Sequence, residues 1–420
     1  MDEIYESLPK QTIFCIDMKS FYASCSARLL GLDPLTCYLA VVADTNRNGS
    51  VVLAATPKLK ADFGIQTGSR LFEIPNDPRI HIVNAQMKTY LQTSVEITNF
   101  FNRYVPMECI HTYSVDESFL HTDGTERLWG DAETLAKRIK RDMFKEFGLT
   151  CAIGIGPNML LAKLCLDVEA KKAGIAQWKF DDVKKKLWPL SPLSKMWGIG
   201  SRLEQRLHRI GVRTVGQLAN YPLDQLEKKF GVIGNQLYYH AWGIDLSDLG
   251  TPMLEGQISF AKSQILLRDY DREGEIKHVI LEICEEVARR ARNEKKAGRT
   301  VRLGLGYSKS ERRSGFYRSQ TIAEPTNITM DIYEICMQLF KTHYNGETVR
   351  KIDISLSNVC DDTHTQLSLF DMSKPERKKL GYVMDQIRER YGADTLLRAV
   401  SYTKAGTAKH RSTLVGGHKA

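Results

Sequence analysis

One order of apolar runs and amphipathic stretches occurs twice along this chain, and it constrains the fold more than any other feature. The first series predicts a strand near 12–17, a helix near 88–103, strands near 110–115 and 118–122, a helix near 132–147 and a strand near 150–156. The second predicts a strand near 257–267, a helix near 274–293, strands near 299–307 and 315–322, a helix near 329–344 and a strand near 349–358. Both read β-α-β-β-α-β, the ferredoxin-like order. A chain of 420 residues has room for several domains, so the expected class is α+β and multidomain. That order hosts many functions, and chemistry has to be argued from what the two series do not share.

The first series carries acids. Asp17 closes the apolar run Thr12–Ile16, and Asp116-Glu117 follows the run Ile110–Val115. Carboxylates gathered at strand ends repel one another unless a cation lies between them. Ligands made only of oxygen suit Mg²⁺ or Mn²⁺, which also take substrate phosphates. That is the layout of a two-metal phosphoryl-transfer site. An Asp-Glu pair by itself is usually a solvated loop; this one is flanked by apolar segments and has a distant matching acid.

The second series carries bases. Residues 288–318 hold eleven Lys and Arg against Glu294 and Glu311, a local excess that equals the net charge of the whole chain, +9. A charge run is commonly no more than a solvated face. Concentrated in this way, with Tyr307, Phe316 and Tyr317 interleaved, it reads as a surface that tracks phosphates. No stretch approaches the roughly twenty apolar residues of a membrane span, and Met1–Lys10 lacks the apolar core of a signal peptide. The nine cysteines form no C-x-x-C pair and no zinc spacing, so reduced thiols and a cytoplasmic location are expected.

Two stretches carry a family resemblance. Ile16-Asp17-Met18-Lys19-Ser20-Phe21-Tyr22-Ala23-Ser24-Cys25 and Ser114-Val115-Asp116-Glu117-Ser118-Phe119 resemble the signatures of Y-family, UmuC-type translesion DNA polymerases. Within that family the chain is most similar to the UvrX-like branch of Gram-positive bacteria and their mobile elements, and the resemblance covers nearly its whole length. It implies a right-hand polymerase: a ferredoxin-like palm (1–25 and 87–180), small fingers (26–86), a helical helix-hairpin-helix thumb (181–250), a second βαββαβ domain or little finger (251–360), and a C-terminal tail (361–420). It also implies that Asp17, Asp116, Glu117 and the backbone carbonyl of Met18 hold two Mg²⁺ ions, with Mn²⁺ able to substitute. The partners would be primer-template DNA and a dNTP, joined with low fidelity past damaged template bases.

The same resemblance extends to single residues. A helix from Ser20 would offer its first N–H groups, near Lys19 to Tyr22, to a triphosphate. Tyr22 matches the steric gate against a ribose 2′-OH, and Phe21 either packs on the sugar or fills the core. Lys171 matches the lysine after a palm helix that would start at Pro157. In the fingers the pattern departs from the family, and Lys58 or Lys60 is expected to supply the missing base. Gly198 and Gly200 suit a helix-hairpin-helix that approaches a DNA phosphate. Arg299, Arg302, Arg312, Arg313 and Arg318 are the expected DNA grips. Gln366, Leu367, Leu369 and Phe370 resemble the peptide that bacterial polymerases insert into the sliding clamp. Lys374–Tyr391 reads as an amphipathic helix, and disorder or DNA contact are both open for the basic tail beyond it.

A monomer that meets no membrane is expected. Two other readings compete: a non-catalytic DNA- and clamp-binding accessory factor of polymerase shape, and another palm enzyme such as a nucleotide cyclase. Three retained, mutually repelling acids argue against the first. The basic domain and the clamp-like peptide have no use in the second.

Overall fold

The computed structural model describes residues 2–9, 11–249, 259–362 and 373–419. The chain divides into two compact units, Met1–Thr251 with His418–Ala420, and Pro252–Gly417.

The first unit is built on β1 (Ile13–Met18), whose residues 13–16 are all buried. A strand buried on both faces needs a continuous apolar run rather than alternation. Ile13 and Cys15 pack with the Met159–Cys165 helix, and β1 lies at the centre of its sheet. Next come β2 (Tyr38–Val42), β3 (Val52–Ala55) and β4 (Ile80–Asn84), a separate three-stranded sheet in the order β3-β2-β4. Its small core is Ala40, Val42, Val52, Ala55, Leu59, Ile65 and Ile74. The chain then returns to the first sheet through the Met87–Phe101 helix, β5 (Ile110–Thr112), β6 (Glu117–His121), the Ala132–Phe147 helix, β7 (Cys151–Gly156) and β8 (Ile175–Gln177). The sheet order β5-β6-β1-β7-β8 contains the ferredoxin-like arrangement.

The expected strand 110–115 stops at Thr112. Tyr113 and Ser114 both donate their N–H groups to the carbonyl of Glu117 (2.9 and 3.0 Å), so a tight bend replaces its end and Asp116 sits in that bend. The helix expected from Pro157 begins at Met159 instead. Asn158 is its N-cap, accepting the N–H of Leu161 at 2.9 Å. This helix lies against β7 with no space to spare. A Cβ on Gly154 would come within 2.4 Å of the Ala162 carbonyl, and one on Gly156 within 2.4 Å of the Ala162 N–H nitrogen. Glycines there let helix backbone touch strand backbone. Helices Ser201–His208, Val215–Ala219, Leu223–Phe230 and Val232–Ala241 follow in the same unit.

The second unit runs β9 (Phe260–Tyr270), helix Glu273–Asn293, β10 (Lys296–Tyr307), β11 (Gly315–Thr326), helix Thr329–His343 and β12 (Val349–Asp361). The element order is the expected one, but the wiring differs from that of the first unit. In the first sheet the order by position within the series is second-third-first-fourth; here it is third-second-fourth-first, with β9 at an edge. All pairs are antiparallel. Val301, Leu303, Leu305, Ile352, Ile354 and Leu356 form the core with the two helices.

The C-terminal segment is a folded part of this unit. Helix Lys374–Tyr391 spans the expected residues, and the chain beyond it packs on the Glu273–Asn293 helix. Arg292 donates to both oxygens of Asp385 (2.6 and 3.1 Å). Arg388 and Arg398 share Glu285, and Glu282 accepts from both the N–H and the hydroxyl of Thr407. Arg292 is 3% exposed, so this member of the basic run serves packing rather than phosphate.

Candidate active site

The register of β1 and β6 places Asp17 directly opposite Glu117. Asp116 precedes Glu117 in the bend, its carbonyl accepting the N–H of Met18 at 2.9 Å and its carboxylate the hydroxyl of Ser114 at 2.8 Å. A strand residue's N–H and C=O point to one side, so the Met18 carbonyl faces the acids too. The three acids expected from the sequence are thus brought together. Burial holds the Asp17 carboxyl above the usual range; Lys171 pulls it down, while Asp116 and Glu117 push it up.

Cationic side chains already hold two of the acids. Lys163 reaches both oxygens of Glu117, at 2.7 and 2.8 Å, and Asp167 at 3.3 Å. Cys15, a neutral thiol kept protonated by burial and by Glu117, donates to the same carboxylate at 3.1 Å. Lys171 lies 2.9 Å from Asp17 and 2.7 Å from Asp167. Burial alone would lower both lysines, but their carboxylate partners outweigh it and hold both above the usual lysine range. Among the described residues no three acid, His or Cys side chains converge into a ready metal cage. The donor set still fits hard divalent cations: adjacent carboxylates, a backbone carbonyl, and positions where the fold already places positive charge.

Lys163 and Asp167 were not singled out in the sequence. A signal existed: Lys163 is the one charged residue in Met159–Cys165, and Asp167 and Lys171 follow at steps of four. In a regular α-helix residues eight apart are about 80° out of line. The wider π turn at Leu166–Ala170 absorbs that offset, so Lys163, Asp167 and Lys171 share one face.

Beside the acids the chain enters the Phe21–Leu29 helix through Ser20, held in the left-handed region at φ 50°. Lys19, expected to offer a free N–H, donates it to the Thr150 carbonyl at 2.8 Å. The helix start leaves Phe21, Tyr22 and Ala23 as the residues without intrahelical N–H partners. Lys60 donates to the Ser20 hydroxyl at 2.9 Å. Burial lowers its pKa; Asp17 opposes that, and Lys19 and Lys171 add to it. Lysines crowded around a helix N-terminus make a seat for an anion. Lys58, the other candidate, turns away to Asp62 (3.7 Å) and the Tyr38 ring.

The two aromatic residues part company. Phe21 is 2% exposed and fills the core, which leaves Tyr22 as the accessible ring. Tyr22 stacks on buried Tyr90 (centroids 4.5 Å, 13° between planes), and Tyr90 is bonded to the Ser26 hydroxyl at 2.7 Å. Burial raises the Tyr22 phenol, with Asp116 as the second cause.

Near the start of the Ser201–His208 helix, Gly198 adopts φ 91°, which favours glycine, and Gly200 is the N-cap at an ordinary φ of −89°. A Cβ on either would meet nothing within 4 Å. Trp197 donates to the Tyr113 hydroxyl at 3.3 Å and so braces this loop against the bend that holds Asp116.

In the second unit the expected DNA grips do not share one face. Arg302 alternates with buried Val301 and Leu303, so it stands on the sheet face opposite the helices, with its guanidinium 4.7 Å from the Tyr317 ring. Arg318 pairs in register with Leu303 and belongs to the other face at the edge strand. Arg299 falls at a register irregularity, and Arg312 and Arg313 lie exposed in the β10–β11 loop. Gln366, Leu367, Leu369 and Phe370 lie outside the described residues.

Three family models match the chain: the impB/mucB/samB family over residues 16–167, its C-terminal domain over 257–369, and the DNA polymerase-iota thumb domain over 194–245. "Putative UV-damage repair protein UvrX" of Bacillus subtilis is 62% identical over 418 residues, covering 99% of both chains. "DNA polymerase IV 2" of the same organism is 38% identical over 98% of this chain and 99% of its own. A solved Y-family DNA polymerase chimera of Dbh and Dpo4 superposes with a TM-score of 0.65 at 19% identity, covering 83% of this chain and 99% of its own. The chain belongs to the impB/mucB/samB family, and so to the Y-family DNA polymerases.

Proposed function

We propose that the protein extends a DNA primer opposite damaged template bases, by in-line attack of the primer 3′-hydroxyl on the α-phosphate of a dNTP. The observation that carries this reading is the placement of Asp17 opposite Glu117, with Asp116 beside them and the Lys60–Lys171 anion seat adjoining. Two bound divalent cations supply the acidity that activates the primer hydroxyl and the charge that offsets the pyrophosphate. Asp17, Asp116, Glu117 and the Met18 carbonyl would hold these cations. Lys60, Lys171 and the N–H groups of Phe21, Tyr22 and Ala23 orient the triphosphate. Tyr22, backed by Tyr90, acts as the steric gate against a ribose 2′-OH.

Duplex DNA is held without sequence reading by the Gly198–Gly200 loop and by Arg302, Arg312 and Arg313, aided by Arg299 at the β10 irregularity and Arg318 on the edge strand. Gln366–Phe370 tethers the enzyme to the sliding clamp and raises its local concentration at the primer end. The enzyme works as a monomer in the cytoplasm; no helix among the described residues is long and apolar enough to cross a membrane.

The test is primer extension with Mg²⁺ and dNTPs on undamaged and lesion-bearing templates, using wild type, Asp116→Ala and Glu117→Ala. Extension by wild type alone, with DNA binding equal in all three, is the expected outcome. Extension by the variants would remove these acids from the reaction. Extension by none, with the clamp present, would favour the accessory-factor reading.

A further inference from the structure

Lys163 and Lys171 both neutralise acids of the site, but they are not equivalent. The Lys163 side chain is 10% exposed and Glu117 11%, and Lys163 belongs to a helix pressed against the glycines of β7. It has nowhere to go. The Lys171 side chain is 45% exposed, on a single helical turn that ends at Gly174. It holds Asp17 with one contact and Asp167 with another, so it can leave Asp17 by rotating its own bonds while Asp167 keeps it anchored.

We propose that Lys171 is an exchangeable counter-cation for Asp17, displaced when a triphosphate draws it away, and that Lys163 is the fixed counter-cation of Glu117. The inference rests on the polymerase reading of the site and adds an order to it. A divalent cation arriving at Asp17 alone must compete with an ammonium 2.9 Å from the same carboxylate. A polyphosphate arriving beside Lys60 and Lys171 attracts that ammonium and frees the carboxylate. Each ligand then strengthens the binding of the other by the same factor. Idle acids stay neutralised, and the cation site opens only when a nucleotide is there to use it.

The experiment titrates the full-length protein with Mn²⁺ alone, without nucleotide or DNA, and reads bound ion by electron paramagnetic resonance. Asp17→Asn should weaken binding, Lys171→Met should tighten it about fivefold or more, and Lys171→Gln should repeat that gain. Lys60→Met is the control for general field effects. Lys60 is also near Asp17, but its hydrogen bond goes to Ser20, so its loss should change Mn²⁺ affinity much less. Unchanged or weaker binding in Lys171→Met and Lys171→Gln, with Asp17→Asn still weaker than wild type, would overturn the counter-cation role and leave the polymerase reading intact. An equal gain from Lys60→Met would overturn it in the same way. If Asp17→Asn binds as wild type does, both the cation reading of the site and the inference fall.

Discussion

At the scale of single residues, the site is a set of charges whose partners are fixed by strand register and by one helix. Tyr22 is the residue whose role is easiest to isolate, because its ring rests on Tyr90 and Tyr90 is locked by Ser26. A rigid backing is what a steric gate needs, since a ring that can retreat excludes nothing. Tyr22→Ala is therefore expected to raise ribonucleotide relative to deoxyribonucleotide incorporation by about 10–200-fold, while Tyr22→Phe keeps the discrimination. Single-nucleotide insertion kinetics with paired rNTP and dNTP check both. The acids were legible in the sequence because each follows an apolar run. The pairing of Lys163 was not, because its partner Glu117 lies 46 residues earlier on a strand and only the fold joins them. The choice between Lys58 and Lys60 was hidden for the same reason: both occupy one short helix, and only Lys60 reaches Ser20.

At the scale of elements, the π turn at Leu166–Ala170 behaves as one residue more than an α-helix requires. Seven residues of regular helix bring a side chain to within about 20° of its starting face, and the π turn lets eight do the same. Deleting Val168, which is 36% exposed, should convert the turn to α-helix and leave Lys171 facing Asp17. The expected result is a urea midpoint no lower than wild type and a dNTP affinity within about twofold, a change of less than about half a kcal/mol. A tenfold loss of affinity would show that the π turn itself shapes the site. The order of strands and helices within each of the two series was legible from periodicity. The pairing was not, since β-α-β-β-α-β is compatible with both sheets and which strand lies at the edge is decided by packing. The anchoring of the C-terminal segment was equally hidden, because its charges find partners about a hundred residues away.

At the scale of the whole molecule, acids and bases are divided between two units of like element order. Arg312 and Arg313 are exposed in the β10–β11 loop, whereas Arg292 is enclosed. Proximity in sequence therefore overstates the surface available to DNA. Arg312→Ala and Arg313→Ala should weaken duplex binding equally for unrelated sequences, and each should flatten the log–log salt dependence by about 0.9. Fluorescence anisotropy over a salt series measures this, and a sequence-dependent loss would point to base contacts instead.

The embrace of the Glu273–Asn293 helix by the C-terminal segment bears on how the protein is made. A nascent chain that stopped at residue 372 would already contain every acid of the site and every strand of the five-stranded and four-stranded sheets. It would also lack Asp385, Arg388 and Thr407, the partners of Arg292, Glu285 and Glu282, and the cover they give those charges. The segment from Lys374 to Gly417 thus completes the unit that carries the arginines. A chain ending there would hold the acids of the site yet lack the ion pairs that fasten the Glu273–Asn293 helix.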